Sequence, residues 1–230
     1  MSSVERYRPY FVLVDRARKR RMLHPGRKHR PMRPKVMIVD PERILDFLAS
    51  VAVDPEMTAV ERALLCLIIG SGGRISEILA LKKNSFTHHD GDLYFVLRVL
   101  KKDHVQARKQ KELLKAGKKA PEWTPVEREA KVPDVARALI AELLLKRRPH
   151  ERLFRLNRFQ ALRIVKRLFG DDVENHSFRH SYVSWLGTEL DSKPKHEQQE
   201  IAELMKMSVE NVPRYFHIAN VKRALKKLGM

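Results

Sequence analysis

An unbroken apolar run, Ala63-Leu64-Leu65-Cys66-Leu67-Ile68-Ile69, stops at Gly70-Ser71-Gly72-Gly73 and is followed at once by Arg74. Glycine tolerates the left-handed backbone that a sharp turn requires, so the sequence predicts a helix from Pro55 to Ile69 and a break at the glycines. A third helix then starts at Arg74 and turns Ile75, Ile78, Leu79 and Leu81 inward. The arrangement projects the Arg74 guanidinium from a turn instead of laying it along a helix face. Cys66, the single cysteine, has no partner for an intramolecular disulfide and reads as a small buried hydrophobe.

The elements around this turn are mostly helical. Asp40-Pro41-Glu42 opens a helix whose apolar face is Ile44, Leu45, Phe47 and Leu48, with Asp40 as N-cap and Pro41 in the first turn. Asp90-Gly91 is a turn signal ahead of the β-rich run from Leu93 to Leu100. A partner strand is expected near Glu129-Ala130-Lys131-Val132-Pro133. A Lys-rich connection, Lys101 to Pro125, separates the two, long enough to be functional or disordered. Helices follow from Pro133-Asp134 through Leu145, Arg158 to Phe169, Ser177 to Leu190, Glu197 to Met205 and Val221 to Leu228. The fold class is mainly α with a small antiparallel β-sheet.

The 230 residues are 43% hydrophobic, enough for one core of ordinary size. They carry 47 Lys+Arg against 28 Asp+Glu, a formal charge of +19. That surplus selects a polyanionic partner, most plausibly nucleic acid, without naming a reaction. No apolar run approaches the roughly 20 residues of a membrane span, and the basic N-terminus has no apolar signal core, so neither membrane insertion nor export is expected. Arg16 through Arg21 and Arg27 through Arg33, broken by prolines and a glycine, give residues 1–35 the composition of a basic arm or linker.

Chemistry is carried by scattered residues: Arg74 and Glu77, His176-Ser177-Phe178-Arg179-His180, and Tyr215 in Val212-Pro213-Arg214-Tyr215-Phe216-His217. Two arginines offer planar forks of donors to phosphate oxygens, a histidine moves a proton, and a tyrosine hydroxyl can attack phosphorus. Taken singly these signals are weak, an Arg-x-x-Glu on a helix being more often a surface ion pair.

In order and in their flanks, Ser71-Gly72-Gly73-Arg74-Ile75-Ser76-Glu77-Ile78-Leu79-Ala80-Leu81, the His-x-x-Arg-His box and the Arg-Tyr-x-His ending resemble the tyrosine recombinases over residues 36–220. The resemblance implies the catalytic-domain fold of that family and a DNA strand transferase, a recombinase or integrase working through a 3′-phosphotyrosyl link. Tyr215 is then the nucleophile, Arg74 and Arg179 the phosphate clamp, and His176 the group that assists proton transfer or bonds the phosphate. Glu77 and His180 support them. The family's hairpin lysine, which protonates the leaving 5′ oxygen, falls best on Lys102, with Lys101, Lys109 or Lys111 as alternatives. The family's imidazole nine residues before the tyrosine is replaced here by Lys206 in Leu204-Met205-Lys206-Met207-Ser208, which leaves open a catalytically inactive DNA-binding relative. A type IB topoisomerase shares the same residues.

The family implies double-stranded DNA as partner, a homo-tetramer on paired sites with a monomer compatible with the DNA-free state, and residues 221–230 as a C-terminal helix that could be exchanged between protomers. No metal, nucleotide or other cofactor is expected. The setting implied is cytoplasmic and nucleoid-associated, or that of a viral or plasmid protein acting in its host.

Overall fold

The structure is a computed structural model that describes residues 3–15, 35–119, 121–122, 124–189, 194–209 and 212. Among them the chain runs through α1 (Ser3–Tyr7), β1 (Phe11–Asp15), β2 (Lys35–Val39), α2 (Ile44–Val53), α3 (Ala59–Ser71), α4 (Ile75–Leu79), β3 (Phe86–His89) and β4 (Asp92–Arg98). It continues with α5 (Leu100–Lys115), β5 (Glu127–Lys131), α6 (Arg137–Leu145), α7 (Arg158–Phe169), α8 (Asn175–Glu189) and α9 (Pro194–Leu204). Helices dominate, as expected, but there are two small antiparallel sheets: β1 with β2, and β3-β4-β5 in that order. No helix among the described residues is long and apolar enough to cross a membrane.

Helix α3 is the axis of the core. Thr58 caps it: its Oγ1 accepts from Glu61 N at 3.3 Å while Glu61 Oε2 accepts from Thr58 N at 3.0 Å. This reciprocal box fixes the first helical residue at Ala59 rather than near Pro55. Every residue from Ala63 to Ile69 is fully buried. The helix ends at Gly72, whose φ of 57° is left-handed and whose N–H donates to Ile68 O at 2.9 Å. In α2 the inward stripe is Ile44, Phe47, Leu48, Val51 and Ala52, while Leu45, expected on it, is 61% exposed. At 100° per residue Leu45 lies at the edge of that stripe.

Helix α8 lies against α3 and β2. Ser181 Oγ ties α8 to β2, accepting from Val39 N at 2.8 Å and donating to Ser177 O at 2.9 Å.

Other expectations change as well. Residues 3–15, expected within a basic arm, instead form α1 and β1, because Tyr7 and Phe11 complete an aromatic cluster with Phe47, Phe169 and Phe178. Tyr7 is fully buried, and its hydroxyl donates to Asp54 Oδ2 at 2.6 Å. The dense basic stretch from Arg16 to Arg33 lies outside the described residues.

The Lys-rich connection is helix α5 over most of its length, since Lys, Arg, Gln, Ala and Leu are good helix formers and neither glycine nor proline intervenes before Gly117. Finally, β4 has a second neighbour, β3, joined to it through Asp90 (φ 49°) and Gly91 (φ 80°), two successive left-handed residues of the kind that close tight hairpins. On its other side β4 pairs with β5, Leu97 opposite Arg128 and Phe95 opposite Ala130. The strand expected up to Pro133 stops at Lys131; Val132 N still donates to Leu93 O at 2.8 Å, and Pro133 has no N–H with which to continue the ladder.

Candidate functional site

The site is built around the turn Ser71-Gly72-Gly73. Ser71 Oγ donates to Leu67 O at 2.5 Å and accepts from Gly73 N at 3.1 Å, which closes the turn on itself. A Cβ on Gly72 would lie 2.6 Å from the Tyr182 ring, and one on Gly73 2.8 Å from Ile78 Cδ1. Glycine is therefore required at 72 by close approach to the ring and by its positive φ, while a side chain at 73 would press on the movable end of Ile78. Tyr182 is thus a packing residue against the turn.

Arg74 follows as the N-cap of α4. Glu77, 2% exposed, grips it twice, accepting from Arg74 N at 2.9 Å on Oε2 and from Arg74 Nη1 at 2.7 Å on Oε1. The carboxylate at once caps the helix and orients the guanidinium, whose side chain keeps 29% of its surface open. Among the described residues no other acceptor is bonded to that guanidinium.

Two further arginines meet the turn at its backbone carbonyls. Arg179 on α8 is 1% exposed, donates from Nη1 to Gly72 O at 2.8 Å, and reaches Met205 O at 3.5 Å from Nη2. Arg128 on β5 is 5% exposed and donates from Nη2 to Ser71 O at 2.9 Å. Burial, and after it the neighbouring charge of Arg179, pull the Arg128 guanidinium from its ordinary value down to about 10; Glu77 acts the other way and Arg74 adds to the depression. Three cations thus share one small volume with a single carboxylate.

Arg128 was not legible in the sequence. Glu127-Arg128-Glu129 reads as a solvated charge run, and only the two-residue period that places 128, 130 and 132 on one face hints that Arg128 points inward.

His176 and His180, one helical turn apart on α8, have ring centroids 4.9 Å apart with planes nearly perpendicular. His176 is exposed and His180 buried, so the outer ring is the one open to a substrate. Lys206 takes an unexpected position. Its φ is 46°, its N–H donates to Glu203 O at 3.0 Å, and Met207 N donates to Ala202 O at 2.8 Å. This is a Schellman ending of α9 with lysine where glycine is usual. Met205, just before it, supplies the carbonyl that Arg179 reaches, so the α9 ending lies beside the cluster. Lys102 falls in the first turn of α5, not in a hairpin turn, and its side chain is outside the description. Tyr215 and the segment 221–230 lie outside the described residues.

The helices and small antiparallel sheet that bring Arg74, Arg128 and Arg179 around one turn form the catalytic-domain fold of the tyrosine recombinases. No protein-family model and no curated protein matches the sequence. Among solved structures, the XerH site-specific recombinase bound to palindromic difH substrate in a post-cleavage complex matches with a TM-score of 0.55 at 18% identity, over 84% of this chain and 53% of that one. The pre-cleavage complex of XerH with difH substrate matches with a TM-score of 0.52 at 18% identity, over 81% and 52%. The chain therefore spans about half the length of those recombinase chains.

Proposed function

We propose that the protein cuts and rejoins double-stranded DNA as a site-specific recombinase or integrase, with Tyr215 as the covalent nucleophile. The observation that carries this reading is the convergence of Arg74, Arg128 and Arg179 on the Ser71–Gly72 turn in a recombinase fold. In the proposed step the Tyr215 oxygen bonds to phosphorus, the bond from phosphorus to the 5′ oxygen breaks, and the strand is left as a 3′-phosphotyrosyl link with a free 5′ hydroxyl.

Arg74, held by Glu77, bonds a non-bridging oxygen, while Arg179 and Arg128 stabilise the charge that builds on the pentavalent phosphorus from positions fixed before substrate arrives. His176 assists transfer of the tyrosine proton or bonds the phosphate, with His180 behind it. Lys102 gives its proton to the departing 5′ oxygen, and Lys206 adds charge in place of an imidazole. The reaction exchanges one phosphodiester for another and needs no energy source. Assembly as a tetramer on paired sites belongs to the same reading.

A second reading, a DNA-binding relative without cleavage, is favoured by Lys206, a half-buried residue whose backbone ends a helix in a left-handed conformation. The deciding experiment incubates the protein and Tyr215→Phe with labelled supercoiled and suicide-nicked duplexes and resolves products on a denaturing gel. A protease-sensitive adduct that depends on Tyr215 supports cleavage. DNA binding without an adduct on any duplex tried moves the second reading ahead.

A further inference from the structure

The helix between β4 and β5 stands out from the domain. Along α5, Asp103 is buried, Gln110 and Leu113 are half-buried, and every other residue from His104 to Lys115 is exposed. Its root is fixed: Asp103 pairs with Arg98 at the end of β4, and Val99 N donates to Val126 O at 2.7 Å. Farther along, the Gln110 amide donates to Pro121 O at 3.0 Å.

At 100° per residue, Asp103, Gln106, Ala107, Gln110, Leu113 and Leu114 share one half of the helix. The other half carries Arg108, Lys109, Lys111 and Lys115, together with His104, Val105 and one acid, Glu112, which lies 3.4 Å from Arg108. The attached side is thus nearly uncharged and the free side is basic. Lys118 and Lys119 extend the positive charge beyond the helix end.

The position of the root matters as much as the charge. Leu97 faces Arg128 across the β4–β5 ladder, and α5 begins three residues later, on the order of 10 Å along the strand. Arg128 in turn holds Ser71 beside Arg74. The root of α5 is therefore joined to the arginine cluster through the β4–β5 ladder, and its 16 residues give the helix a length of about 24 Å.

We propose that the outward half of α5 is a contact surface for double-stranded DNA, gripping phosphates that flank the one held by the arginine cluster. The proposal rests on the DNA reading above and adds an element to it. Charge selects the occupant: a second copy of this chain, formally +19, would bring like charge to the helix. Duplex DNA presents a phosphate about every 1.7 Å of its axis, so the span of α5 covers roughly seven base pairs.

The test compares the full chain with a variant carrying Arg108→Gln, Lys109→Gln, Lys111→Gln and Lys115→Gln, since glutamine keeps helix propensity. A control variant changes four exposed basic residues elsewhere, Lys146, Arg148, Arg152 and Arg155, to Gln. Anisotropy of a labelled random-sequence duplex is followed from about 50 to 200 mM salt. Neutralising four phosphate contacts lowers the slope of log affinity against log salt by up to about 3.6, and the control is expected to lose less than about 1.

Wild type that binds while the α5 variant keeps its slope, or a control that loses as much, overturns the assignment of α5 and leaves the DNA reading intact. Wild type that fails to bind duplex at all overturns both. A second readout needs no loss of charge beyond one residue. Iron-EDTA attached at Glu112→Cys on the same outward half, Cys66 being buried, cuts duplex that the variant holds in the binding assay, and absence of cuts on bound duplex sinks the proposal.

Discussion

Replacing Arg128 by methionine is expected to leave the fold about as stable as wild type, or slightly more so, while weakening its hold on phosphate. Burial holds the Arg128 guanidinium well below its ordinary value, at about 10. A base whose folded pKa lies below its unfolded value costs stability at every pH under the folded value, and the cost fades only above it. At pH 7 the full cost is present, about 3 kcal/mol for a depression of this size.

Against it stands one hydrogen bond from a charged donor to Ser71 O, worth about 1.5–3 kcal/mol. Methionine fills similar space without charge, so relief and loss nearly cancel. The assay is urea unfolding followed by far-UV circular dichroism at pH 7, with and without inorganic phosphate, because urea leaves ionic attractions unscreened. Phosphate at ten times its dissociation constant stabilises wild type by about 1.4 kcal/mol; the variant retains only the general exclusion effect of the salt. A variant destabilised by more than about 2 kcal/mol, or one that phosphate stabilises as much as wild type, refutes the idea that Arg128 is an anion-seeking charge.

Two other residues give predictions of different sign. Burial alone would raise the Asp54 carboxyl, but hydrogen bonds from Tyr7, Glu56 N and Arg6, together with the charge of Arg6, outweigh it and hold the group below its ordinary value. A carboxyl depressed in the folded state contributes stability that is present above its unfolded value, about 3.9, and lost as pH falls through the folded one. Asp54→Asn should therefore be about 1–3 kcal/mol less stable than wild type at pH 7, with the deficit shrinking below about pH 4; a deficit unchanged between pH 6 and 3 would rule this out. For Lys206, in the left-handed region, glycine should be more stable than alanine by about 1 kcal/mol in the same urea assay. Equal stability of Lys206→Gly and Lys206→Ala would contradict the Schellman assignment.

Local chemistry made part of this site readable. Glycines at 72 and 73 announced a turn, and the arginine after them could only leave it at a helix start. The limits of α7 follow from Asn157, whose Oδ1 accepts from Gln160 N at 2.9 Å, and from Gly170 beyond its last turn. What stayed hidden depends on contacts distant in sequence. Tyr7 joins the core only because Phe47, Phe169 and Phe178 converge on it. Arg128 is buried only because β5 pairs with β4 beside the turn. Lys102 matches the family's hairpin lysine only while the stretch from Lys101 to Pro125 is a connection between strands; the helix propensities of its first part place Lys102 in α5 instead.

The cluster has a property that no one of its residues shows. Arg128 and Arg179 each give a donor to a backbone carbonyl of consecutive residues, Ser71 and Gly72, so the turn that aims Arg74 is itself held by two buried cations. Opposing these three positive charges is one carboxylate, Glu77, and both its oxygens are occupied by Arg74. Mutual repulsion is therefore retained in the DNA-free state, and it is relieved when an anion enters. A doubly negative phosphorane would relieve it more than the singly negative diester that precedes it. In the proposed cleavage, binding energy is then weighted toward the transition state, and the charge of Arg179, which after burial depresses Arg128, adds to the stabilisation of the developing negative charge.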